Sequence, residues 1–248
     1  MLLGNCDEYY YFYSEQRAYL FSLIIQPFNN LTMNNGTFDF NLFLKESKET
    51  LLNPKSYFTT MKSAGGFIEP LIKAVIYGFI TGVIYLFWFI LGWGSIAGRM
   101  FGGDSGMLII IRQIIGSGIG LFVGAVILLV LSSVCKGNTD FETNLRVSAS
   151  LMVVIPISAL FTVFSGLNLY LGFGLNLIVF IYSLWLLYNG LVTALRGKSE
   201  PARIVCYVLT VVMIVFLLLV LREQVKLEKT FNIFNKNANE LLKDSKKK

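Results

Sequence analysis

No histidine occurs among the 248 residues. That absence removes the commonest general base, the Ser-His and Cys-His nucleophile pairs, and most zinc sites. Cysteine is nearly as scarce. Cys6, Cys135 and Cys206 stand far apart, so there is no Cys-x-x-Cys metal or redox pair. Charged residues are only 15% of the chain, and most precede Lys73, sit in two polar loops or follow Leu221, which leaves the middle nearly uncharged. No HExxH, GxSxG or P-loop pattern is present; Gly116-Ser117-Gly118-Ile119-Gly120 is glycine-rich but lies inside an apolar run, not at a strand-to-helix turn. Catalysis, a cofactor and a metal are therefore not expected.

What the chain has instead is long apolar runs. Hydrophobic residues make up 55% of it. Five runs fill the chain from about Leu71 to Leu221, each near the roughly 20 residues that cross a bilayer as a helix. They are continuous rather than alternating, which excludes a transmembrane barrel. The expected class is all-α, a polytopic bundle with spans at about 71–93, 107–134, 147–164, 175–195 and 204–221. The ten residues from Ser165 to Gly174 carry no charge, so spans three and four should form a tight antiparallel hairpin.

Residues 1–66 read as a polar to amphipathic N-terminal region, with an aromatic cluster from Tyr9 to Tyr13 and two Asn-x-Thr sequons at Asn30 and Asn35 that are ascribed to chance. The start has neither a basic n-region nor an apolar h-region, so no signal peptide is read there. Asn53-Pro54 suits a helix start, with Asn as N-cap and Pro in the first turn. Tyr57, Phe58 and Met61 would share a face of a short helix at about 53–63, expected to lie on the membrane surface. Residues 222–248 form a tail with eight Lys/Arg and four Asp/Glu, which either extends the fifth span or lies on the headgroups.

The net charge of +6 belongs to the ends and loops. Basic residues beside spans point to anionic lipid headgroups rather than nucleic acid. An odd number of spans puts the termini on opposite sides. The basic residues divide almost evenly between the two, but all three cysteines fall on the N-terminal side, where a reducing cytosol keeps thiols free. The N-terminus is therefore expected in the cytoplasm.

Three sets of residues stand out. Gly116, Gly120 and Gly124 repeat every four residues in span two, as do Gly78 and Gly82 in span one, a spacing that lets helix backbones approach. The two stripes are expected to pack on each other, or else to form a homo-oligomer face, and Gly120→Ile should weaken folding or association. Glu69 and Lys73 are four apart in the favourable order for a pair, and Arg112 lies one turn inside span two, close enough to snorkel. Asp140 and Glu142 share a loop and read as solvated. No carboxylate lies mid-span, which argues against proton-coupled transport.

The third set carries a family resemblance. Asn53-Pro54-Lys55-Ser56-Tyr57-Phe58 followed by Gly65-Gly66-Phe67-Ile68-Glu69-Pro70-Leu71 resembles the segment leading into the first span of bacterial Yip-domain proteins, named for eukaryotic members that interact with Rab-type GTPases. The loop with Phe141, Thr143 and Arg146 resembles the family's segment before its third span, Pro156 its mid-helix proline, and Trp185 to Leu191 with Gly190 the end of its fourth span. The resemblance implies five spans, a cytosolic N-terminus and no enzymatic activity; eukaryotic relatives act in vesicle trafficking and membrane shaping. An Asp-Leu-Tyr-Gly-Pro motif is missing ahead of span one, which points to the bacterial branch and a bacterial cytoplasmic membrane. The expected role is to organise lipids or an unidentified membrane or cytosolic protein partner. The alternative is a small transporter or permease subunit.

Overall fold

In the computed structural model, which describes residues 39–91 and 106–245, helices follow one another with no strand among the described residues. Five of these helical stretches are long and apolar enough to cross a membrane: Ile68–Ile90, Gly106–Val134, Phe141–Leu167, Tyr170–Ala194 and Ser199–Glu223. The protein is thus an integral membrane α-bundle, as its hydropathy requires. Residues 46–66 fall in one compact unit with the bundle, Glu46–Lys248. Cys6, the Tyr9–Tyr13 cluster, the two sequons, Trp93 and Arg99 lie outside the described residues.

Helix α1 (Phe40–Leu52) starts on Asp39, whose Oδ1 accepts from the backbone N–H of Asn41 at 2.9 Å and of Leu42 at 3.1 Å. This supplies partners for donors that the helix leaves free. Sequence analysis missed this element, because its apolar residues form no run. Helix α2 (Pro54–Thr60) begins with Pro in its first turn as expected, but the Asn53 side chain makes no capping bond. Its Pro54, Tyr57 and Phe58 are buried, the two rings in a cluster with Leu128, Cys135, Val147, Leu191 and Leu195. The face expected to meet lipid is therefore taken up by the bundle. Packing on helix ends buries both rings more completely than a half-wet headgroup layer does.

Helix α3 (Ile68–Ile90) and helix α4 (Gly106–Val134) make the most extensive helix pair among the described residues. A Cβ on Gly82 would stand 2.8 Å from the Ile110 Cα, and one on Gly78 would collide with the Ser117 side chain. Gly124 faces Ser148 instead, at 2.5 Å for an added Cβ. Here the expectation needs correcting: Gly116 and Gly120 meet nothing within 4 Å and are exposed. The side of α4 that is buried carries Ser117, Leu121, Ala125, Leu128 and Ser132, one residue further on and so about 100° around the helix. Small Ser and Ala side chains there give the close approach that the glycines of α4 were expected to give.

The third span is two helices, α5 (Phe141–Leu151) and α6 (Val154–Leu167). Pro156 has no N–H to offer Met152, whose carbonyl accepts from Ile155 at 2.9 Å instead, and the helix breaks there. The span starts six residues before the expected Val147, because every residue from Thr143 to Ser150 is buried in protein rather than lipid. Polar side chains are tolerated at that depth when protein supplies their partners. Asn168 alone separates α6 from helix α7 (Leu169–Asn189), and its Oδ1 caps α7 through Tyr170 and Leu171. That is the tight hairpin, closer than expected, with Gly172 against the Ser165 backbone.

Helix α7 ends in a wide turn, Gly190–Ala194, in which Leu195 N–H reaches back five residues to the Gly190 carbonyl at 3.0 Å. Two turns then bind each other: Asn138 N–H donates to Leu195 O at 2.6 Å, and Lys198 N–H to Cys135 O at 2.9 Å. Helix α8 (Ser199–Ser245) runs unbroken for 47 residues, about 70 Å at 1.5 Å per residue. Of the two courses expected for the tail, its described part extends the fifth span.

The glycine contacts separate two classes of substitution. Gly82→Ile should lower the melting temperature in detergent, since overpacking costs about 1–3 kcal/mol and the clash here is with backbone. Gly120→Ile should leave it unchanged. Equal effects at the two positions would contradict the observed α3–α4 packing.

Candidate functional site

One end of the bundle gathers the start of α3, the end of α4, the start of α5 and the turn before α8. Five charged side chains meet there in an alternating row. Glu69 and Lys73 on the first turns of α3 pair at 2.9 Å, the spacing of four residues placing both on one face. Lys73 Nζ also reaches Glu46 Oε2 at 2.6 Å. On the other side Glu69 accepts from Arg146 Nη1 at 2.9 Å, and Arg146 Nε lies 3.5 Å from Glu142 Oε1. The Arg146 side chain is 5% exposed and that of Lys73 10%, so both cations are held by protein rather than water.

The row ends in a backbone feature. Gly65 and Gly66 adopt φ of 143° and 86°, a region open to glycine and costly for other residues. Both of their N–H groups point at one atom, Glu142 Oε1, each at 2.6 Å. Successive amides aimed in this way form an anion-binding concavity. Arg146 Nη2 donates to the Gly66 carbonyl at 3.2 Å, and a Cβ on Gly65 would stand 2.7 Å from that same nitrogen. The turn and the guanidinium are fitted to each other.

A neutral layer lies beneath. Ser150 Oγ donates to Arg146 O at 3.0 Å and is 2.8 Å from the Tyr57 hydroxyl; Ser47 and Tyr77 hydroxyls are also 2.8 Å apart. Burial pushes the Tyr57 phenol above its ordinary pKa. Tyr182 donates to the Leu51 carbonyl, which fastens α1 to α7.

The start of α5 is set by a cap. Asp140 Oδ2 accepts from the Thr143 N–H at 2.8 Å and from its hydroxyl at 2.7 Å. These bonds, the backbone N–H first, hold the Asp140 carboxyl below the usual aspartate range. The fully buried Asn144 amide donates to Asn138 O and Asp140 O, at 3.1 and 2.7 Å.

Against known proteins, the profile of the Yip1 domain matches residues 48–221. The chain belongs to that family. No curated protein and no solved structure matches it. The family segment covers Glu69, Lys73, Glu142, Arg146 and the Gly65–Gly66 turn, while Glu46 lies two residues before it.

The residues singled out from sequence take distinct places in this Yip1-domain protein. Glu69, Lys73 and Arg146 meet. Pro70 is buried in the first turn of α3, and Phe141 stands edge-on to Phe67 at 6.1 Å between ring centres. Thr143 completes the cap, Pro156 makes the break in span three, and a Cβ on Gly190 would lie 3.0 Å from Val147 and 3.6 Å from Phe58. Arg112 takes no part in any of these ion pairs; it is exposed on α4, within electrostatic reach of Tyr85. Trp88 donates to Ala159 O at 3.1 Å across to α6. Sequence analysis missed Glu46, and it read Asp140 and Glu142 as solvated. The Asp-x-x-Thr cap and the Glu142–Arg146 spacing of four were the available signals.

Removing Arg146 takes the cation from the partly buried Glu142 and leaves Glu69 with Lys73 alone. Arg146→Ala should cost about 3–5 kcal/mol in unfolding experiments in detergent, whereas Lys226→Ala, which breaks an exposed pair, should cost under about 1 kcal/mol. Equal losses would show that burial of the row carries no energy. Asp140→Ala should cost about 1 kcal/mol. Because the folded Asp140 titrates below its unfolded value of about 4, its contribution is full above that pH and is lost as pH falls through the lower folded value. Acid titration of Asp140→Ala should lack that component, and identical profiles would refute the cap's role.

Proposed function

We propose that this Yip1-domain protein is a non-enzymatic organiser of the membrane around it, closest to the bacterial branch of the family, with its N-terminal side in the cytoplasm. The observation that carries this reading is α8. Its span has the highest hydropathy of the five, yet Ala202 is its one fully buried residue among positions 199–223. Residues such as Tyr207, Val211 and Phe216 are all more than half exposed. In lipid such a helix needs no further burial, so its surface is free for acyl chains or for another membrane protein. Beyond the span it continues as a helix in a basic segment, suited to anionic headgroups on the side opposite the charged row.

The partner on this reading is a membrane or cytosolic protein, and the exposed Gly116 and Gly120 leave room for a second copy. The reading of a transporter or permease subunit makes the opposite prediction in one assay. Purified protein in liposomes should produce no substrate flux, while proximity labelling from the N-terminus in native membrane should repeatedly recover the same neighbour, weakened by polar substitution of Val211 and Val215. Robust flux without any stable neighbour would overturn the proposal.

A further inference from the structure

The Gly65–Gly66 turn is an anion site with an anion already in it, and that anion belongs to the chain itself. Two amides at 2.6 Å and a 95% buried guanidinium surround the Glu142 carboxylate. We infer that this turn is a receptor for the phosphate of a membrane phospholipid, and that Glu142 is a built-in competitor holding the place of that phosphate. The inference needs only that the protein sits in a bilayer, and does not depend on the organising role.

Depth is what selects a lipid as the source of the phosphate. Phe67, Ile68, Leu71 and Val75 are exposed apolar residues in one line leading from the turn down the outer face of α3. That line faces acyl chains. Gly65 and Gly66 are exposed immediately above it, at the level where headgroup phosphates begin, with the exposed ammonium of Lys62 three residues earlier. A lipid lying against Phe67 and Leu71 would bring its phosphodiester to the two amides.

Charge balance permits the exchange. The row contains three carboxylates and two cations, Glu46, Lys73, Glu69, Arg146 and Glu142. If Glu142 swings outward, toward the water that already reaches a quarter of its side chain, the remaining four charges sum to zero. A phosphodiester carries one negative charge, as the carboxylate does, and offers two acceptor oxygens, one for each amide. No covalent change is involved. Arg146 keeps its bond to Glu69, so the helices stay joined while the occupant changes.

The test uses the full chain in detergent, titrated with phosphatidylglycerol and read by native mass spectrometry, with diacylglycerol as the probe that lacks phosphate. Glu142→Ala should raise phosphatidylglycerol affinity by about tenfold, the order of one charge-assisted hydrogen bond, and leave diacylglycerol unchanged. Gly66→Ala added to it should cancel the gain, because φ of 86° disfavours a side chain although nothing lies within 4 Å of it. If Glu142→Ala does not fold, Glu142→Gln keeps an acceptor oxygen, loses the charge, and should show a smaller gain in the same direction. An unchanged affinity would overturn the inference. So would a gain shared by diacylglycerol, a gain that survives Gly66→Ala, or inorganic phosphate binding the variant as tightly as the lipid does.

Discussion

The Arg146 guanidinium ties together parts of the chain that hydropathy alone would leave independent. It is buried at the start of the third span and spends its donors on Glu69 of the first span, on Glu142 one turn before it, and on the Gly66 carbonyl of the turn between α2 and α3. A buried cation is costly unless geometry returns the lost hydration, so the bonds to Glu69 and to the Gly66 carbonyl have to be in place. That requirement sets the depth of α3 against α5 and fixes the turn at Gly65–Gly66. Through Glu69 and Lys73 it extends to Glu46 on α1. In a bilayer, where apolar helices gain little by touching one another, such polar contacts set register.

Steric fit does the rest. Gly78 and Gly82 let α4 approach α3, Gly172 closes the α6–α7 hairpin on Ser165, and Gly190 leaves room for Val147 and the Phe58 ring. Each works because a small residue on one helix meets backbone or a short side chain on the next. The wide turn at the end of α7 then frees Leu195 O to receive the Asn138 N–H, so the two loops at that end are sewn together by backbone. Helix α8 shares this attachment just before its first turn, and the rest of the fifth span is left mainly to the lipid.

The correct and incorrect expectations separate along physical lines. Glu69 and Lys73 were legible as a pair because i,i+4 proximity is a property of one helix. Pro156 was legible as a feature of span three because a missing N–H acts locally. Gly116 and Gly120 share a side of α4 as spacing requires, but which side faces a neighbour depends on that neighbour. Glu142 looked like a solvated loop residue because its partners, two amides 76 and 77 positions away, are invisible along the chain. The Tyr57–Phe58 face was recognised as apolar and assigned to lipid, when the ends of other helices cover it.

Sequence alone therefore determined the solvent, the class and the number of crossings, since a run of apolar residues in hydrocarbon must close its own backbone hydrogen bonds within a helix. The same local rules read the hairpin at Asn168 and the basic character of the tail. Only the tertiary structure decided which glycines touch, that the polar start of the third span is buried, and that Glu142 sits on the Gly65–Gly66 amides. Those outcomes depend on energies between residues far apart in the chain, and such terms exist only once the helices have chosen their neighbours.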